Sequence, residues 1–201
     1  MNNPSGAKLI EELLESPYIF FNQGKSYQLL QEYFNGFSLE TLRPLFYNDD
    51  LFVKRVAIWI TSELGYNGTI LIDDAITLLK EDDRYIKYYA LEVIAICSID
   101  KNVQKFIKVV QFLECEDVVL CDLAASLISN ANHFQLEKCA EYFGEKEFYN
   151  KFHYEGLSKL LKSHTVTQKQ LELMLCSDNP LTRRYGSIIL KSQKGVLCRL
   201  Q

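Results

Sequence analysis

Apolar residues recur along most of this chain at spacings of three and four, the signature of helices that bury one face. The segment Asp50-LFVKRVAIWITSELG shows it most plainly, with Val53, Ala57, Ile60 and Leu64 on one stripe. Asp50 stands where an N-cap belongs, because its carboxylate can accept the unpaired amides of a first helical turn. Gly65 stands where the helix should close, since glycine takes the left-handed C′ conformation without steric cost.

The same design returns further along. Asp83-RYIKYYALEVIAIC carries Ile86, Ala90 and Val93, and Asp117-VVLCDLAASLIS carries Leu120, Ala124 and Leu127. Phe152-HYEGLSKLL then places Gly156, and Asn179-PLTRRYGSIIL places Thr182 and Gly186, at the corresponding points. The small residue falls at 57, 90, 124, 156 and 186, at intervals of 33, 34, 32 and 30 residues. A period of this size marks a repeat protein, in which each unit must stack on its neighbours to bury its apolar stripe. A shorter helix is predicted ahead of each long one, beginning at Leu39, Asp74, Val103, Phe134 and Gln168. Ser38 and Thr167 are the expected N-caps of the first and last of these. The predicted hairpins span 37–65, 70–98, 102–130, 133–163 and 167–192, with a C-terminal tail at 193–201. Residues 1–36 give two amphipathic segments, Ala7–Glu15 and Lys25–Asn35, ended by Pro17 and Gly36. They are expected to form an N-terminal capping hairpin.

The stretch LRPLFYNDDLFVKRVAIWITSELG resembles a bacterial HEAT repeat: an Asp, a Val followed by a basic residue, small residues, then Leu-Gly. SDNPLTRRYGSIIL resembles the same motif with its usual proline. The resemblance covers roughly residues 39–192. It implies an all-α fold, a right-handed α-α superhelix of about five hairpins behind the N-terminal cap, forming one continuous solenoid. The fourth unit departs most, with Tyr149 in place of the turn acid and His153 in place of the basic residue.

Composition narrows the function classes. The net charge of −4 argues against nucleic acid as the main partner, because such binding depends on clustered Lys and Arg. No stretch approaches the roughly twenty apolar residues a membrane span needs. Acidic residues in the opening stretch, where a signal peptide would be apolar, predict a cytoplasmic protein. Six scattered cysteines, Cys97, Cys115, Cys121, Cys139, Cys176 and Cys198, form no CxxC pair and read as reduced thiols serving as small apolar residues.

Little in the sequence points to catalysis or a cofactor. The pairs Asp49-Asp50, Asp73-Asp74 and Asp82-Asp83 could be read as metal sites, but Asp50, Asp83 and Asp117 share one turn position in successive repeats. N-capping, with Lys54, Lys87 and Arg183 one helical turn later as ion-pair partners, is the stronger expectation. His133, His153 and His164 lie at no zinc-binding spacing, and buried thiols and solvated imidazoles are expected throughout. No metal, cofactor or small-molecule substrate is expected.

The candidate binding surface is the stripe of the long helices that faces away from the predicted core. It comprises Arg55, Trp59 and Ser62, then Tyr88 and Glu92, Asp122 and Ser126, Tyr154, and Arg184. Trp, Tyr and Arg most often dominate interface energies. Trp59, the one tryptophan, either meets a partner or packs on the adjacent repeat or the N-terminal hairpin. The resemblance implies a non-enzymatic scaffold that holds a protein in its concave face. One version is an immunity protein that neutralises a toxin, its partner a basic toxin domain. The alternatives are a HEAT-like enzyme, of the DNA glycosylase or bilin lyase kind, and a structural subunit of a larger assembly.

Overall fold

A computed structural model describes residues 4–145 and 151–198. All regular secondary structure among them is helical, as the periodicity predicts. Tyr149 lies outside the described residues, and so does the side chain of Cys198. The chain divides into two compact units, Met1–Cys97 and Ser98–Gln201, where the pattern predicts one continuous domain.

The first unit opens with α1 (Pro4–Glu15), α2 (Pro17–Asn22) and α3 (Lys25–Phe34). The sequence reading has two segments here. The structure has three, because Pro17 starts a helix as well as ending one: at its first position a proline has no amide that needs a partner. A 3-10 turn (Leu39–Thr41) and α4 (Arg43–Phe46) precede α5 (Leu51–Glu63). Pro44 sits at the start of α4 and lacks the N–H that would continue one regular helix through 39–47. Ser38 makes no side-chain cap; its carbonyl accepts a hydrogen bond from the Thr41 hydroxyl instead. A second 3-10 stretch (Gly65–Leu71), α6 (Ile72–Leu78) and α7 (Arg84–Cys97) complete the unit.

Its long helices begin as the sequence predicts. Asp50 Oδ1 accepts from the amides of Phe52 (2.7 Å) and Val53 (3.3 Å), and Asp83 Oδ1 accepts from that of Ile86 (2.9 Å). Gly65 takes the left-handed conformation (φ 56°) just past the end of α5. Ala57 and Ala90 are wholly buried, and α5 packs along α7. A polar clamp joins α4 to α6. Arg43 Nε donates to Asp74 (3.1 Å) and its Nη2 to the Ile70 carbonyl (2.9 Å), while the Tyr47 hydroxyl donates to Asp74 (2.7 Å).

The second unit contains a 3-10 stretch (Asp100–Phe106), α8 (Ile107–Gln111), a 3-10 turn (Phe112–Glu114), α9 (Val118–Ser129), α10 (His133–Gly144) and α11 (Lys151–Leu161). After a 3-10 turn (Ser163–Thr165) come α12 (Gln168–Leu175) and α13 (Pro180–Cys198). Helix α13 runs past residue 192, into the segment read as a tail. Asp117 caps α9, and Asn132 and Thr167 each form a reciprocal capping box, with Gln135 and Gln170. Ala124, Gly156 and Gly186 are buried, like their counterparts in the first unit.

Packing in this unit is not strictly sequential. In a linear array each hairpin touches only its neighbours. Here α13 lies against α11 and also against α9. Arg184 of α13 donates to the Leu113 carbonyl beside α9, which ties the same two regions.

Candidate functional site

The nine residues of the predicted stripe have different fates, which follow from what packs on each helix. At Trp59 the structure takes the packing alternative and removes the residue from the open stripe. The helical register places it on an open face, yet it is 8% exposed, because α2 and α3 pack on α5 and Tyr27 meets the indole edge-on at 4.8 Å. Tryptophan is therefore part of the joint between the N-terminal helices and the first repeat.

Arg55 remains half-buried at the surface, but it is not idle. Its Nε and Nη2 donate to Asp83 Oδ2 at 3.2 and 2.6 Å, and its guanidinium stands 5.0 Å from the Phe52 ring centre and 5.7 Å from that of Tyr85. Asp83 thus uses one oxygen to cap α7 and the other to hold Arg55. Burial alone would raise its pKa; the hydrogen bonds from Arg55 and the Ile86 amide outweigh burial and hold it below the ordinary value. Lys54 makes the neighbouring ion pair, with Glu81 at 2.6 Å. In the second unit Arg183 instead donates to the carbonyls of Ser177 and Asp178, so the expected ion-pair pattern is not uniform.

Around Arg55 the first unit gathers aromatic rings that the sequence stripe only partly names. Phe52 meets Tyr18 at 5.2 Å and Phe21 at 5.6 Å, and Phe21 meets Tyr85 at 5.9 Å. Along α7, Tyr85 meets Tyr89 at 4.7 Å, and Tyr89 meets Tyr88 at 5.3 Å. A cleft of about 430 Å³ is lined by Arg84, Tyr85, Tyr88 and Tyr89. Tyr85 also lines a smaller cleft, about 130 Å³, with residues that include Phe21, Tyr27 and Trp59. Tyr85 and Tyr89 fall outside the sequence stripe, which takes only every third or fourth residue of a helix as open. The run Tyr85, Tyr88, Tyr89, Glu92 at i, i+3, i+4, i+7 was the signal that could have found them.

Ser62 and Glu92 lie half-buried on the same two helices, α5 and α7. Burial, then the nearby charge of Glu63, raises the Glu92 pKa above its ordinary value. The structure therefore brings Arg55, Ser62, Tyr88 and Glu92 onto the paired helices of one unit. Asp122, Ser126 and Tyr154 are exposed in the other unit, on α9 and α11, and Arg184 is half-buried there on α13.

The histidine expectation also needs correction. His153 is 1% exposed rather than solvated. Its ring stacks on Phe143 at 4.6 Å, Nε2 lies 2.7 Å from Glu114 Oε1, and Nδ1 lies 2.9 Å from the Tyr185 hydroxyl. A neutral ring satisfies this geometry if Nε2–H donates to the carboxylate and the tyrosine O–H donates to Nδ1. Burial pushes the His153 pKa down, and the contact with Glu114 offsets only part of that. Its partners come from 32 and 39 residues away, beyond any local pattern.

Cys97, Cys121 and Cys139 are buried apolar thiols, and burial pushes Cys139 up to about 12, far from reactivity. Cys176, by contrast, is exposed. Among the described residues no three His, Cys, Asp or Glu side chains converge as metal ligands, and no helix is long and apolar enough to cross a membrane. No protein-family model matches the chain, and no curated protein matches it.

Proposed function

We propose that this chain is a non-enzymatic scaffold that binds a protein partner through the α5–α7 face of its first unit. The observation that carries this is the assembly of Arg55, Tyr85, Tyr88 and Tyr89 beside a cleft of about 430 Å³. Tyr and Arg supply large contact areas at low entropic cost, and truncating such an anchor in an interface commonly costs on the order of 2 kcal/mol. Arg55 is fixed in advance by Asp83 and two rings, so little freedom is lost when a partner docks.

The finer architecture belongs to the same proposal. The chain is a HEAT-like α-solenoid whose hairpins follow the 33-, 34-, 32- and 30-residue intervals, and it acts in the cytoplasm. The buried small residue in each long helix and the Asp caps of α5, α7 and α9 support that reading. Its concrete form is an immunity protein whose partner is a basic toxin domain, which the net charge of −4 would attract.

The test is a quantitative pull-down from the native host with the wild-type chain and with Tyr88→Ala as baits. A stoichiometric protein captured by the first and lost by the second, with unchanged unfolding of the bait, is the expected result. Equal capture by both baits, or no stoichiometric partner for either, overturns the reading.

A further inference from the structure

Near the end of α11 the local charge runs opposite to that of the whole chain. The chain carries 26 acidic and 22 basic residues, yet residues 156–171 contain Lys159, Lys162 and Lys169 and no Asp or Glu. The acids that flank this stretch are engaged: Glu155 lies 3.8 Å from Lys151, and Glu172 Oε1 accepts from Gln168 Nε2 at 3.0 Å. Within the stretch a cleft of about 260 Å³ is lined by Ser158, Lys159, Lys162, Thr165, Val166 and Gln170.

We infer that this cleft binds the phosphate group of a small phosphate monoester. The inference does not rest on the partner-binding reading, since every lining residue belongs to the second unit.

The walls of the cleft are held by the fold itself. The amide and the hydroxyl of Thr165 both donate to the Lys162 carbonyl, each at 2.8 Å, and close the 3-10 turn. From α13, Gln193 Nε2 donates to the carbonyls of Ser163 (2.7 Å) and Val166 (3.1 Å), which pins both sides of that turn. The capping box of α12 fixes Gln170, whose Oε1 accepts from the Thr167 amide (2.9 Å) and hydroxyl (3.1 Å).

That box uses the acceptor of the Gln170 side chain and leaves its donor. Gln170 Nε2, the Ser158 hydroxyl and the ammonium groups of Lys159 and Lys162 make no hydrogen bond or ion pair with a described residue. The cleft thus offers two cations and two neutral donors, and no carboxylate lines it. The C-terminal turn of α11 favours a cation such as Lys159 near its end, but that dipole gives no role to the Ser158 hydroxyl or the Gln170 amide. An anion uses all four.

Charge chooses the anion. Two ammonium groups match the roughly two charges of a phosphate monoester near neutral pH, and lysine binds phosphate as a compact point charge. The hydroxyl and amide donors serve the remaining oxygens. A monocarboxylate would leave one lysine uncompensated. Pockets for drug-sized ligands run from about 300 to 1,000 Å³, so this cleft suits a phosphate on a short body.

The experiment is a titration of the intact, isotopically labelled chain followed by amide NMR. Glycerol 3-phosphate, inorganic phosphate and acetate are added at constant ionic strength. Glycerol 3-phosphate should bind saturably and shift the amide signals of Ser158, Lys159, Thr165 and Gln170, whereas acetate should not. The variant Lys159→Gln/Lys162→Gln should weaken binding by about tenfold or more, because hydrogen bonds from charged groups are the strong ones, and Ser158→Ala should weaken it by less. Lys169→Gln removes an exposed cation of the same stretch that does not line the cleft, and should bind as the wild type does. Lys159 and Lys162 are exposed, so the double variant should melt with the wild type.

No saturable binding of glycerol 3-phosphate overturns the site. So does a loss in Lys169→Gln equal to that in the double variant, or unchanged affinity in both the double variant and Ser158→Ala. Equal shifts from acetate overturn the choice of phosphate, and inorganic phosphate bound more tightly than the ester overturns the monoester. The double variant should still capture any partner that Tyr88→Ala loses, so this site and the α5–α7 face stand or fall separately.

Discussion

Tyr89 in the first unit and Tyr185 in the second occupy the same place in the repeat, one residue before the small position of their long helices (Ala90 and Gly186). Their fates are opposite. Tyr89 is half-buried and borders an open cleft, whereas Tyr185 is wholly buried and hydrogen-bonded to His153. The preceding repeat differs correspondingly. Tyr185 lies over Gly156, where an added Cβ would come within 2.2 Å of its ring. The equivalent residue ahead of Tyr89 is Ala57, which carries that carbon. One repeat register thus yields a packed polar core in one unit and an aromatic surface in the other. The two sites differ by a single carbon at the equivalent position of the preceding long helix, and by the hydrogen bond for which His153 gives Tyr185 a partner.

The strongest way to break this contrast is to ask whether the first unit's aromatic residues are all surface. Trp59 is not, since α2 and α3 cover it, and Trp59→Ala should cost about 3–4 kcal/mol of unfolding free energy. Urea titration followed by far-ultraviolet circular dichroism reads this directly. A loss under about 1 kcal/mol would return Trp59 to the surface and undo the account of the N-terminal joint.

Next in size is the carbon itself. Gly156→Ala should destabilise by roughly 1–3 kcal/mol through overpacking against Tyr185. The measurement is the urea midpoint at constant slope. A neutral result would mean that Tyr185 can move aside at no cost, and the comparison with Tyr89 would lose its physical basis.

A smaller effect should appear in the pH dependence. The folded-state pKa of His153 is lowered, so between that value and about 6.5 the unfolded chain binds more protons than the native one. Stability from the neutral ring is fully present above about pH 6.5, and it is lost as pH falls through the folded value. The gap in unfolding free energy between the wild type and His153→Gln should therefore shrink from pH 7.5 to pH 5.5. A gap independent of pH over that range would contradict the neutral ring assigned between Glu114 and Tyr185.

The residues that were legible in the sequence are those whose partners are local. Asp50 and Asp117 cap helices through amides two and three residues away, and Gly65 needs only its own backbone angle. The small positions at 57, 90, 124, 156 and 186 were legible because a repeat copies its packing constraints along the chain. Trp59 was legible only as a choice between a partner and internal packing, because what covers it comes from the N-terminal helices, which lie outside the repeat. His153 read as solvated because its sequence neighbours say nothing of Glu114 or Tyr185. The division of the chain at Cys97 and the return of α13 to α9 left no trace in the period either, since both depend on which stripe meets which.

The smallest expected effect separates function from fold at the same surface. Tyr88 is half-buried and contacts Tyr89 edge-on at 5.3 Å, but it holds no cap, ion pair or core position among the described contacts. Substituting alanine should leave unfolding within about 0.5 kcal/mol of the wild type, as is usual for a surface site away from such features. Tyr185→Ala, the contrasting change in the other unit, removes a wholly buried ring and leaves His153 Nδ1 without its partner. It should cost several kcal/mol by the same assay, on the order of 3 or more. If Tyr88→Ala proved as damaging as Tyr185→Ala, the tyrosines of α7 would have to be core residues, and a face left open for a partner would no longer explain why they are there.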